Sequence, residues 1–227
     1  MIQAYHYVEP PPLGQITVSE LLEKGAIFPA AFRVQPDIIE HRCEQEMDIY
    51  QDIGTPMGLR GLRILMAERS REVADVSSGT TRGTGFYCED LLAGDALLVF
   101  LSVSKWGIAD AEVIPNGFVF DAEEIIRRGA SLRMGDLQMN FGYDIENALM
   151  RDSPSPAAAR DSLKRALAAV LARYQFSGNR ALRLLRKDPA AYREIVFPGP
   201  IALDWAIEAW ENGELTASRG YHERRQR

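Results

Sequence analysis

The chain has little that would staple it, anchor it or make it broadly sticky. It holds two cysteines, Cys43 and Cys88, too few for a disulfide framework. Its three histidines, His6, His41 and His222, are far apart, and no Cys/His group has the spacing of zinc ligands. The longest strongly apolar run, residues 96–103, is far too short to span a bilayer. No basic segment followed by an apolar run opens the chain, so a reducing cytoplasm and no membrane partner are expected. Lys and Arg number 26 against 32 Asp and Glu, a net charge of −6. That balance disfavours a broad, nonspecific grip on nucleic acid and leaves room only for a local basic groove. There is no internal repeat, no Rossmann fingerprint and no P-loop.

What is present is an ordinary globular composition, 46% hydrophobic and 26% charged, in a length that can bury a full core. Residues 2–8 alternate loosely and read as a first strand, stopped by Pro10-Pro11-Pro12. Thr17 or Ser19 caps a short helix over residues 19–24 that Gly25 ends. Helical spacing recurs over residues 37–52 and 57–73, and a polar loop over 77–85 leads into Phe86-Tyr87-Cys88. Residues 95–104 read as a buried strand and 117–120 as another, with Asp121 capping a helix over 122–128. A loop rich in Gly, Met, Asn and aromatics follows over residues 133–145. Helices are expected over 157–174, 179–187 and 202–210. The expected fold class is α+β, one domain over residues 1–215 with a frayed basic tail over 216–227.

One charge stands out. Glu194 opens the apolar stretch Ile195-Val196-Phe197, which a Pro198-Gly199-Pro200 breaker closes. A carboxylate at the mouth of such a strand is either a surface cap or a residue that a site requires, because burying it unpaired costs several kcal/mol, roughly.

Four separated pieces line up along the chain: Tyr5-His6-Tyr7, Glu68-Arg69-Ser70-Arg71, Phe86-Tyr87-Cys88 and Glu194. In this order and at these intervals they resemble the DarT-type bacterial ADP-ribosyltransferases, the nucleic-acid-modifying toxins of toxin–antitoxin pairs. The resemblance runs from Tyr5 to about Trp210 through short motifs. It implies an ADP-ribosyltransferase-like split mixed sheet with inserted helices, and NAD as co-substrate. Glu194 would hold the ribose and stabilise the oxocarbenium ion as nicotinamide leaves. Arg69 or Arg71 would contact the phosphates or the transition state, His6 the nicotinamide-side ribose, and Tyr87 or Phe86 the nicotinamide ring. Single-stranded DNA or RNA would be the acceptor, in a toxin or defence setting with an antitoxin partner.

After Tyr87 the chain reads Cys88-Glu89-Asp90-Leu91-Leu92, where the family tends to carry a basic, proline-containing turn. Two acids there would repel a phosphate, which keeps a protein side chain open as the acceptor. A loop such as 133–145, with Met134, Met139, Asn140, Phe141 and Tyr143, offers aromatic faces to a base and equally well packs on itself. The cations of the two helices at 157–187 form either a local basic wall or ordinary solvated faces. A binding module with no catalysis, and more weakly a metal-dependent nuclease built on Glu89, Asp90 and Asp95, complete the alternatives.

Overall fold

A computed structural model describes residues 1–8, 16–29, 93–103, 116–135, 159–189 and 193–218, with residues 144, 145, 147, 148, 151 and 191. The expected helices over 37–52 and 57–73, the loop over 77–85 and most of the loop over 133–145 lie outside these residues. Within them the fold is mixed α+β, with few helices around a large antiparallel sheet.

The strands of that sheet are β1 (Gln3–Tyr7), β3 (Leu98–Ser102), β4 (Gly117–Asp121), β5 (Ser131–Arg133) and β6 (Gln175–Ser177). They are joined by β7 (Glu194–Pro198), β9 (Ala206–Glu211) and β10 (Glu214–Ser218). Their spatial order is β10-β9-β4-β1-β3-β7-β5-β6. A separate antiparallel pair joins β2 (Ala26–Ile27) to β8 (Ile201–Ala202). The pairings β1–β3, β1–β4, β3–β7, β5–β7, β4–β9 and β9–β10 are all antiparallel.

Four helices accompany the strands. In α1 (Val18–Lys24), Thr17 and Glu20 form a capping box, and Gly25 closes the helix in the left-handed region at φ +72°. In α2 (Ala122–Arg127), the Asp121 carboxylate accepts from the Glu123 and Glu124 amides. The others are α3 (Ala159–Tyr174) and α4 (Gly178–Lys187). No helix among the described residues is long and apolar enough to cross a membrane.

By packing, the chain divides into two compact units. One comprises Met1–Pro29, Leu98–Met134 and Phe176–Arg227; the other comprises Ala30–Leu97 and Gly135–Gln175. The first holds β1 to β5 and β7 to β10. Its main core gathers Ala4, Leu101, Phe118, Phe120, Ile195 and Phe197 from one sheet face, with Leu21 of α1, Ile125 and Ile126 of α2 and Leu185 of α4. Each of the large side chains contributes about 1.5–3 kcal/mol by leaving water. Alternation explains the choice of face: in β3, Val99 and Leu101 are buried while Leu98, Phe100 and Ser102 are half-buried.

Three sequence expectations are corrected here. Residues 202–210 are not a helix: Ile201 and Ala202 form β8, Leu203–Trp205 is one 3-10 turn, and Ala206–Glu211 is β9. Buried Ala206 and Ala209 are three apart, a helical interval. The strand achieves it through a bulge, since Val119 pairs with Glu208 but Phe120 pairs with Ala206, leaving Ile207 as the extra residue. Arg133, read as the start of a loop, is the last residue of β5. At the other end, β10 runs through Ser218, three residues into the stretch expected to fray.

Candidate active site

Of the residues singled out from the sequence, His6 and Glu194 are described; Arg69, Arg71, Phe86 and Tyr87 lie outside the described residues. Glu194 is the first residue of β7, half-buried, and β7 lies between β3 and β5. Its strand is held there by the buried Ile195, Val196 and Phe197. The Val103 amide donates to the Arg193 carbonyl at 2.9 Å and extends the β3–β7 ladder one step past Glu194.

Cross-strand partners share a sheet face, and neighbours along a strand alternate between faces. Tyr5 pairs with Ser102, Ser102 with Glu194, and Glu194 with Arg133. These four therefore form one row across β1, β3, β7 and β5, on the face opposite the main core. The row ends in a buried cation: Arg133 is only 1% exposed, and its Cζ lies 5.6 Å from the centroid of the Phe100 ring.

At the other end of the row Tyr5 stacks on Tyr7, with ring centroids 6.2 Å apart. The Tyr5 hydroxyl donates to Gln3 Oε1 at 2.7 Å. Burial, with Glu208 adding to it, raises the Tyr5 phenol above its ordinary range. The Tyr7 hydroxyl is buried with no hydrogen-bond partner among the described residues, and burial, then Tyr5, pushes its pKa up to about 12. Both phenols are thus neutral donors at physiological pH. On β9, Trp210 Nε1 donates to Glu208 at 2.8 Å.

His6 follows Tyr5 in a regular strand and pairs with the core residue Phe118, so its side chain leaves the sheet on the core face. His6 and Glu194 are therefore on opposite faces. The register between β1 and β3 rests on Tyr5 and Ser102, and beyond that pair the His6 ring makes a contact across the two strands, with Nδ1 2.9 Å from the Phe100 carbonyl oxygen. A carbonyl only accepts, so Nδ1 carries a proton and donates it.

Gly117 makes the neighbouring β1–β4 pairing feasible. It sits at φ +149°, and a Cβ there would lie 2.3 Å from the His6 carbonyl oxygen. Only hydrogen on that Cα lets β4 approach the backbone of the residue in question.

The sequence reading missed the row itself. Tyr5, Ser102 and Arg133 are scattered along the chain, and only strand register unites them. A faint signal exists at Arg133: Ala130 and Leu132 alternate with Ser131 and Arg133 after Gly129, as in a strand with one buried face.

Comparison with protein-family models, with curated proteins and with solved structures finds no match.

Proposed function

We propose that the chain is an ADP-ribosyltransferase that breaks the nicotinamide–ribose bond of NAD and passes ADP-ribose to a nucleic-acid base. The observation that carries this reading is the seat of Glu194. A half-buried carboxylate stands on an interior strand of the sheet, in one row with a seryl hydroxyl and a buried guanidinium. As the bond from ribose C1′ to the nicotinamide nitrogen lengthens, its electron pair leaves with neutral nicotinamide and positive charge develops on the sugar. A fixed carboxylate in a poorly hydrated setting stabilises that charge far better than water does. The acceptor nucleophile then attacks C1′ and gives up its proton, with Glu194 as the base within reach.

The ADP-ribosyltransferase-like form of the sheet belongs to the same reading. Its support is the early Tyr5-His6-Tyr7 strand, the contact of His6 with the β3 carbonyl and the late strand begun by Glu194. Arg69 or Arg71 would serve the phosphates, and Tyr87 or Phe86 the nicotinamide ring. An antitoxin partner would be needed if the activity is toxic to its own cell.

The test is direct. Incubate the protein with NAD labelled in the adenosine moiety and with single-stranded DNA or RNA, beside Glu194→Gln. Label on the nucleic acid with the wild type alone supports the reading; no transfer and no nicotinamide release sinks it. A second reading is favoured by Glu89-Asp90 and the net charge of −6: the acceptor is a protein side chain, and label would then appear on lysate protein. A module with no catalysis would leave any cellular effect unchanged in Glu194→Ala.

A further inference from the structure

We infer that Arg133 is the positioning residue for Glu194, an inference that rests on Glu194 being the catalytic carboxylate. Three observations converge on it. Arg133 is among the largest fully buried side chains of the described chain, and a guanidinium stays charged at any physiological pH. A buried cation needs compensation, and a carboxylate close by supplies it best. In register, the residue directly opposite Arg133 is Glu194, and the pairing is regular, since Ser131 and Leu132 pair with Val196 and Ile195. Directly opposed residues have Cβ atoms about 4.5–5.5 Å apart, well within the reach of Arg and Glu side chains.

The third observation fixes the direction of the side chain. Phe100 is on β3, and β7 lies between β3 and the β5 strand that carries Arg133. Neighbouring strands are about 4.7–4.9 Å apart. For Cζ to come within 5.6 Å of the Phe100 ring centroid, the arginine must extend across β7. On that face β7 presents Glu194 and Val196, so the guanidinium passes between an apolar branch and a carboxylate. Contact with the ring is a cation–π interaction, and it leaves the in-plane N–H groups to meet oxygen. The planar fork therefore holds the carboxylate in a set orientation, as a lysine ammonium would not.

The experiment compares nicotinamide release from NAD by the wild type, Arg133→Met and Arg133→Lys, with unfolding midpoints for Arg133→Met, Glu194→Gln and the double variant. Misorienting a catalytic group lowers kcat by on the order of 100-fold, so a large fall in kcat at near-constant KM is expected for Arg133→Met. Arg133→Lys should recover part of the rate. In the unfolding cycle the two substitutions should be non-additive, because each removes the same contact. Wild-type kcat in Arg133→Met, or an additive cycle, overturns the inference. If the wild type itself releases no nicotinamide, the ADP-ribosyltransferase reading fails, and the cycle alone then decides whether Arg133 holds Glu194. Should Arg133→Met fail to fold, the same cycle is run with Arg133→Lys and Glu194→Gln.

Discussion

His6 and Glu194 are separated by the single strand β3, yet their side chains leave the sheet on opposite faces. Tyr5, one residue before His6, shares the row of Ser102 and Glu194, and a one-residue step along a strand reverses the face. His6 spends its Nδ1 proton on the Phe100 carbonyl oxygen and so acts first on the junction of β1 and β3. Glu194 has a different set of neighbours in register: Ser102, Arg133 and, farther along the row, Tyr5.

Glu194→Gln keeps the size of the side chain and removes its charge. Nicotinamide release should fall by on the order of 100- to 1000-fold, the usual cost of losing one electrostatic stabiliser of a transition state. The thermal midpoint should fall as well, because the buried Arg133 loses the charge opposite it. Quantifying released nicotinamide alongside a melting curve separates the two effects; an active Glu194→Gln would remove Glu194 from the mechanism.

Gly117→Ala tests the close approach of β4 to β1. The added methyl would meet the His6 carbonyl oxygen at 2.3 Å, on a backbone at φ +149° that L residues rarely adopt. A loss of roughly 2–4 kcal/mol is expected, since backbone strain and a steric clash act together. Urea unfolding at constant m-value measures it.

Tyr7→Phe should be neutral or stabilising by about 1 kcal/mol, because it deletes a buried hydroxyl that has no partner among the described residues. The pH dependence has a definite sign. The phenol is pushed from 10.0 to about 12 in the fold, so the folded state holds its proton longer than the unfolded chain does. That contribution is complete below pH 10 and is lost as pH rises towards 12. Wild-type stability should therefore fall across that window more steeply than that of Tyr7→Phe, and spectroscopic phenol titration should lose a group that ionises near 12.

Glu123 links α2 to α4. Its carboxylate accepts from Arg186 Nε at 2.8 Å and from Arg127 at 2.6 Å, with its side chain 21% exposed. Hydrogen bonding and charge from Arg186, followed by Arg127, hold its pKa below the usual 4.5. A depressed carboxylate stabilises the fold above the unfolded value and loses that contribution as pH falls below 4.5. Partial exposure limits the effect to about 0.5–1 kcal/mol. Glu123→Gln should melt lower than the wild type at pH 7, and the gap should close in acid.

Much of the local structure is legible in the chain. Thr17 or Ser19 and Gly25 bound a first helix by capping chemistry that acts within a few residues, the structure selecting Thr17 with Glu20 as its partner, and Asp121 caps α2. The strands β1, β3, β4 and β7 follow from apolar patterning. β9 was not legible, because its bulge gives Ala206 and Ala209 a helical interval that only the pairing with β4 explains. Arg133 was only faintly legible, since the alternation over residues 130–133 is too short to establish a period. For the candidate site, Glu194 was visible as a charge out of place, whereas its neighbours were not.

The sequence by itself determined the class of the fold, the ends of its first helices and the anomaly at Glu194, because capping, turn chemistry and alternation are local. The tertiary structure decided which face of the sheet each residue serves. It parted His6 from Glu194 and brought Arg133 opposite the carboxylate. Strand register is set by long-range pairing, and a shift of a single residue would exchange every one of those faces.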